Sequence, residues 1–257
     1  MTSYRKQSIK NGQRIAPIVS IVCNYAKPTG ENPVLLTAEE VETFFHEFGH
    51  ALHGLLSNVE YETLSGTSVP RDFVELPSQI MEHWAFEPEV LNFYAKHYQT
   101  GETIPNDAVT KMKNASKFNQ GFATVEYLAA SLLDFFYHMQ PPGKQIEPNT
   151  FEKEVMGNNG LIKQIAPRYR STYFQHIFAG GYSAGYYSYI WSELLDSDAF
   201  AAFKETGNIF DPATALSFRK NILEKGGTGE PKDLYKSFRG KGPNEKYLLE
   251  NRGLVKS

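Results

Sequence analysis

The stretch TAEEVETFFHEFGHALHGLL, residues 37–56, constrains this chain more than any other. Its apolar residues Val41, Phe44, Phe45, Phe48, Leu52 and Leu55 recur at the helical period. Thr37 stands where an N-cap would, with Glu40 three residues on to complete a capping box. The expectation is one amphipathic helix carrying His46, Glu47 and His50 in the pattern HExxH. Residues four apart lie on one helical face, so both imidazoles can reach a single zinc ion. Glu47 follows the first imidazole directly, which sets its carboxylate beside a metal without ligating it, in reach of a proton on metal-activated water.

Catalytic zinc takes three protein ligands and keeps one position open. The downstream candidates are His53, Glu60, Glu62, Asp72, Glu75, Glu82 and His83. Three ligands from one straight helix would strain a tetrahedron, which counts against His53. The segment DFVELPSQIMEHWAF reads as a second helix despite Pro77, since proline is tolerated in a first turn or kinks the helix there. Glu75 and Glu82 both lie on it, two turns apart, and spacing does not choose between them.

The rest of the chain reads as mainly α. Residues 14–25, RIAPIVSIVCNY, are β-branched and apolar and predict one strand, followed by a turn-rich loop over 27–33. Residues 61–69 are short, polar and β-prone. Further helices are expected near 87–98, 105–118, 121–139, 150–156, 183–205 and 211–224, then a loop at 226–231 and a short helical pair over 232–252. The 257 residues suffice for one large domain, and no repeat or linker divides them. Basic and acidic residues number 26 and 29, so nothing points to nucleic acid, and no run is long enough to span a membrane. The single cysteine, Cys23, excludes an internal disulfide and is expected to be buried and inert.

Residues 174–193, FQHIFAGGYSAGYYSYIWSE, gather phenols beside Gly180 and Gly181. On a helix, Tyr182, Tyr186 and Tyr189 would share a face, and phenols at a metal can donate to a developing oxyanion. The alternative is a buried aromatic face with satisfied hydroxyls. Tyr187 would point elsewhere, into the core.

HEFGHALHGLL, SGTSVPRDFVELPSQIMEHWAF and FAGGYSAGYYSY resemble the core of the thimet oligopeptidase and peptidyl-dipeptidase family of zinc peptidases. The likeness runs nearly the whole length, and PRDFVELPSQIMEHWA, YAKHYQTG and KMKNASKFNQGF are similar to the bacterial peptidyl-dipeptidase branch. The resemblance implies a zincin-like helical catalytic domain, with a small β element near the active site. It implies one zinc per chain, held by His46, His50 and Glu75, with Glu47 as base.

Asp72 is then a candidate acceptor for a ligand imidazole; a helix-dipole carboxylate is its other reading. Tyr189 becomes the main oxyanion donor, with Tyr182 and His176 as transition-state or substrate hydrogen-bonders. Tyr186, Gly180 and Gly181 fall on the substrate side. Substrates would be short unstructured peptides, cleaved to release C-terminal dipeptides or, in the alternative, at internal bonds. A non-catalytic peptide-binding fragment is the reading from another class. Arg71, Arg168 and Arg170 could each meet a substrate carboxylate.

Family members are more than twice this length. The resemblance therefore implies a missing N-terminal half or complementary chain, with the cytoplasm the expected compartment and the periplasm the alternative.

Overall fold

The computed structural model describes residues 1–27 and 33–255. The loop expected over 27–33 lies, but for its two end residues, outside the described residues. Among those described the architecture is mainly helical, with four short strands at the start: β1 (Thr2–Arg5), β2 (Ser8–Lys10), β3 (Gln13–Ile15) and β4 (Ile18–Ser20). β2 and β3 form a hairpin about Asn11-Gly12, both left-handed at φ 53° and 76°. β1 pairs antiparallel with β4. The single strand expected over 14–25 is therefore two short ones in different ribbons. Pro17, with no N–H to give a ladder, separates them. Cys23 lies beyond β4 and is half-buried rather than buried.

Helix α1 (Ala38–Leu56) begins as its sequence predicts: Thr37 Oγ1 accepts from Glu40 N–H, and Glu40 accepts from Thr37 N–H. After it, residues 61–69 hold a 3-10 turn at Glu62–Leu64 and no strand. The second helix is two pieces, α2 (Arg71–Val74) and α3 (Leu76–Ala85). Pro77 has no N–H for the carbonyl of Phe73, so the helix breaks one turn before it and restarts. Glu75 sits at that break.

The remaining helices are α4 (Pro88–Tyr94), α5 (Asn106–Ser116), α6 (Gln120–His138), α7 (Pro148–Asn158), α8 (Gln175–Phe178), α9 (Ser188–Glu205), α10 (Pro212–Phe218), α11 (Pro231–Arg239) and α12 (Glu245–Asn251), with a π-helical turn at Arg219–Leu223. Helix α9 starts five residues later than its sequence suggests. Ala184 is left-handed at φ 51°, and the amides of Ala184 and Tyr186 bond to the Asp134 carboxylate instead of to helical carbonyls. Tyr182 and Tyr186 consequently precede the helix, on a turn. Tyr187 is half-buried, stacks on Phe135, and donates to Asp72 Oδ2 at 2.8 Å.

The largest core joins α2, α3, α9, the π turn and α11 through Phe73, Leu76, Ile80, Phe200, Phe203, Ile222 and Tyr235. A second cluster of Tyr127, Ala130, Phe174, Ile177 and Tyr186 lies between α6 and the tyrosine turn. Helix α1 lies against α3 with no room to spare: a Cβ on Gly49 would stand 2.1 Å from the carbonyl oxygen of Pro77. Glycine at 49 is thus what lets the two helices close on each other. No helix among the described residues is long and apolar enough to cross a membrane.

Candidate metal centre

Closure of α1 on the α2–α3 break brings three side chains to one point. Nε2 of His46 lies 3.4 Å, and Nε2 of His50 3.1 Å, from Oε2 of Glu75. Metal–ligand bonds of about 2.0–2.1 Å in a tetrahedron set ligand atoms about 3.3 Å apart, so the spacing fits zinc. These three are a group whose ligand atoms all lie within 4.8 Å of one another. The donor set, two imidazoles and one carboxylate, is also the chemistry of a catalytic zinc with an open fourth position.

Two of the three candidate ligands, His46 and Glu75, are held from behind. His46 Nδ1 contacts Glu82 Oε1 at 2.6 Å. Burial pushes the His46 imidazole down, but the bond to Glu82 and the charges of Glu82, Glu75 and Glu47 together outweigh it and raise the group above its ordinary range. Glu75 is buried; its Oε2 accepts from Ser78 Oγ at 2.9 Å and its Oε1 from the Tyr182 phenol at 2.8 Å. Burial alone would raise its carboxyl, yet His50, His46 and Tyr182 together hold it down at about 2. His50 Nδ1 is buried and has no hydrogen-bond partner among the described residues.

A cavity of about 330 Å³ opens over this cluster, lined by His46, Glu47, His50, Arg71, Glu75, Tyr182 and Tyr189 among others. The Glu47 carboxylate contacts the Met1 amino group, which shares the cavity. Tyr182 and Tyr189 stack with ring centroids 5.1 Å apart and planes 14° from parallel. Burial, then neighbouring Tyr182 and Glu75, raise the Tyr189 phenol, which therefore stays a proton donor at neutral pH. The Arg71 guanidinium lies 4.5 Å from the centroid of the Tyr182 ring.

Other residues expected at the site stand back from it. Tyr186 is buried behind the tyrosine pair, its ring 5.4 Å from that of Tyr189. His176 packs on Tyr169 at 4.7 Å, with Nδ1 buried and without a hydrogen-bond partner among the described residues. Gly180 and Gly181 serve the turn itself. A Cβ on Gly180 would meet the His176 backbone at 2.8 Å, and Gly181 is left-handed at φ 81°.

Asp72 receives Tyr187 rather than a ligand imidazole; the acceptor on His46 is Glu82. A signal for Glu82 did exist, since seven residues from Glu75 is two helical turns and the same face. His53, the other candidate on α1, is fully buried with neither ring nitrogen partnered among the described residues, and burial drives its pKa down to about 3.

The profile of Peptidase family M3 matches residues 1–254. The chain belongs to peptidase family M3. M3 relatives include dipeptidyl carboxypeptidase of Escherichia coli, 44% identical over 99% of this chain and 37% of that protein. Oligopeptidase A of Haemophilus influenzae is 40% identical over 98% of this chain and 37% of its own length. The thimet-like oligopeptidase of Dictyostelium discoideum is 33% identical over 95% and 36%. This M3 chain thus spans little more than a third of the curated relatives it matches.

Proposed function

We propose that this chain is the zinc-holding catalytic portion of a peptidase that hydrolyses short oligopeptides. The observation carrying the reading is the convergence of His46 and His50 Nε2 on one oxygen of Glu75, within a cavity that also presents Glu47 and Tyr189. Zinc held by His46, His50 and Glu75 would supply Lewis acidity, bringing the pKa of a water toward neutrality. Glu47 takes the proton from the attacking water and returns it to the leaving amine. The Tyr182 phenol is committed to Glu75, so the oxyanion donor is assigned to Tyr189, with Tyr182 holding the carboxylate in place. Glu82 fixes the tautomer of His46 and turns its Nε2 toward Glu75.

Release of C-terminal dipeptides is the specificity we assign, and Arg71 supports it. Of the three arginines in question, Arg170 pairs with Glu152, whereas Arg71 lines the cavity beside Tyr182. A cation there suits a substrate's terminal carboxylate. Cleavage at internal bonds is the second reading, favoured by the similar identity to the oligopeptidases A. A peptide with an amidated C-terminus separates them, because an enzyme that reads the carboxylate loses most of its rate on it.

The reading includes a further polypeptide segment, the counterpart of what the relatives have and this chain does not span. On α6, Phe122, Val125, Leu128, Leu132 and Phe135 form one apolar stripe, each 38–41% exposed, which such a segment would cover.

The test is zinc content per folded chain, wild type against Glu75→Ala, with circular dichroism on both. One zinc per wild-type chain, lost in the variant, is the expected result. A folded wild type that takes up no zinc, alone or with the rest of a relative supplied in trans, would overturn the reading.

A further inference from the structure

Outside the metal cluster, the least exposed carboxylate with the most specific contacts is Asp134, in the last turns of α6. It is wholly buried. Its Oδ1 accepts from Ala184 N–H at 2.9 Å and its Oδ2 from Tyr186 N–H at 2.8 Å. His138 Nδ1 stands 2.8 Å from Oδ1, one helical turn further along α6. Two turns earlier on the same helix, the Tyr127 hydroxyl donates to the Tyr186 carbonyl at 2.5 Å and accepts from Ile190 N–H at 3.2 Å. Helix α6 therefore grips the backbone of Tyr186 by both its N–H and its C=O.

What is gripped is the piece of chain between the two phenols of the cavity. Tyr182 opens the turn and Tyr189 lies in the first turn of α9. Between them Ala184 takes a left-handed φ of 51°, which is unfavourable for a residue with a Cβ. Two charge-assisted bonds from a buried carboxylate offset that cost and stop the segment from continuing α9 backward as helix. A buried carboxylate is itself unfavourable unless fully bonded, so Asp134 belongs there only because those amides point at it. Were the turn helical, Tyr182 would leave the Glu75 carboxylate, and its stacking on Tyr189 would be lost.

We infer that Asp134 is a positioning residue that sets the two cavity phenols at the metal cluster, acting through the Ala184 and Tyr186 amides. The inference deepens the proposed peptidase reading and rests on it for the consequence in catalysis. Asp134 touches neither the ligands nor the cavity. Its effect is on where Tyr189 can donate, which is felt in the transition state and hardly in substrate binding.

The experiment compares wild type, Asp134→Asn, Tyr189→Phe and the double variant, each zinc-loaded. Amide exchange is followed at Ala184 and Tyr186 by NMR, together with the through-space contact between the Tyr182 and Tyr189 rings. In Asp134→Asn one oxygen is replaced by an NH2 that cannot accept. Exchange at the affected amide should rise at least tenfold and the ring contact weaken, with the amides of α3 unchanged. On a quenched peptide substrate, kcat should fall about 10²-fold with KM within about threefold, and the loss should not add to that of Tyr189→Phe. Tyr127→Phe, which removes one hydroxyl at constant volume, should move the same readouts by less and serves if Asp134→Asn does not fold.

Unchanged exchange and ring contact in a folded variant would overturn the inference. So would a kcat loss fully additive to that of Tyr189→Phe. A wild type that cleaves no peptide, while the variant loses protection and ring contact, would instead sink the reaction and leave the positioning intact.

Discussion

Glu82 Oε1 and His46 Nδ1 lie 2.6 Å apart, across the contact between α3 and α1. With Nδ1 engaged there, Nε2 is the ring nitrogen that faces Glu75. Outer partners of ligand imidazoles govern metal affinity nearly as strongly as the ligands do. Glu82→Gln should weaken zinc binding about 10- to 100-fold without unfolding the chain. Competition titration against a chelator measures this, and an unchanged Kd would strip Glu82 of the role.

Gly49 and Pro77 set the distance between those helices. A methyl group on residue 49 would fall 2.1 Å from the Pro77 carbonyl oxygen, a backbone atom that no side-chain rotation can move. Gly49→Ala should cost about 1–3 kcal/mol or more through overpacking. Zinc affinity should fall with it, since Glu75 rides on the displaced segment. A Tm within a degree of wild type would show that the helices can separate freely.

Glu47→Gln keeps the shape of the side chain and removes its basicity. Zinc content should stay at the wild-type level while peptide hydrolysis disappears. Retained turnover would move the general base elsewhere.

The two phenols should part ways. Tyr189→Phe is expected to lower kcat about 10²–10³-fold with KM little changed, as for loss of an oxyanion donor. Tyr182→Phe takes a hydrogen bond from Glu75 and should weaken zinc binding as well. Equal zinc affinities in the two variants would contradict this division.

Far from the metal, Glu205 receives a fork from Arg239 at 2.6 and 2.7 Å and a bond from Tyr247. The Arg239 bond holds its carboxyl at about 2, below an ordinary value of 4.5. A depressed carboxylate contributes stability above its unfolded pKa and loses it as pH falls through the folded one. Glu205 is largely exposed, so screening limits that contribution to about 1 kcal/mol or less. Glu205→Gln should lower Tm at pH 7, with the difference shrinking from about pH 4.5 toward pH 2. A difference that does not change with pH would show that the ion pair contributes nothing.

Sequence reading reached furthest where structure is local. The helix carrying His46, Glu47 and His50 was legible because its period and its Thr37–Glu40 cap lie within a few residues of one another. The break at Pro77 was legible only as a tolerated proline, and it decides which carboxylate faces which imidazole. Asp72 looked like the partner of a ligand and Glu82 did not, because the register of α3 on α1 depends on the close approach at Gly49. The start of α9 was misplaced for a similar reason. The amides that would have extended it go to Asp134, about 50 residues earlier in the chain, and no window of sequence around Tyr186 contains that fact.

The two halves of the site also differ in how far the chain must travel to build them. His46 and Glu82 are 36 residues apart, whereas Tyr182 must return across 107 residues to reach Glu75. Contacts of short separation close early and at small entropic cost, and distant ones close late. By that measure the contact between α1 and α3, which carries the candidate ligands, costs less loop entropy to close than the docking of the tyrosine turn. On that ordering the imidazoles and their outer carboxylate come together before the phenols do, so the two halves of the site differ in the loop entropy that each must overcome.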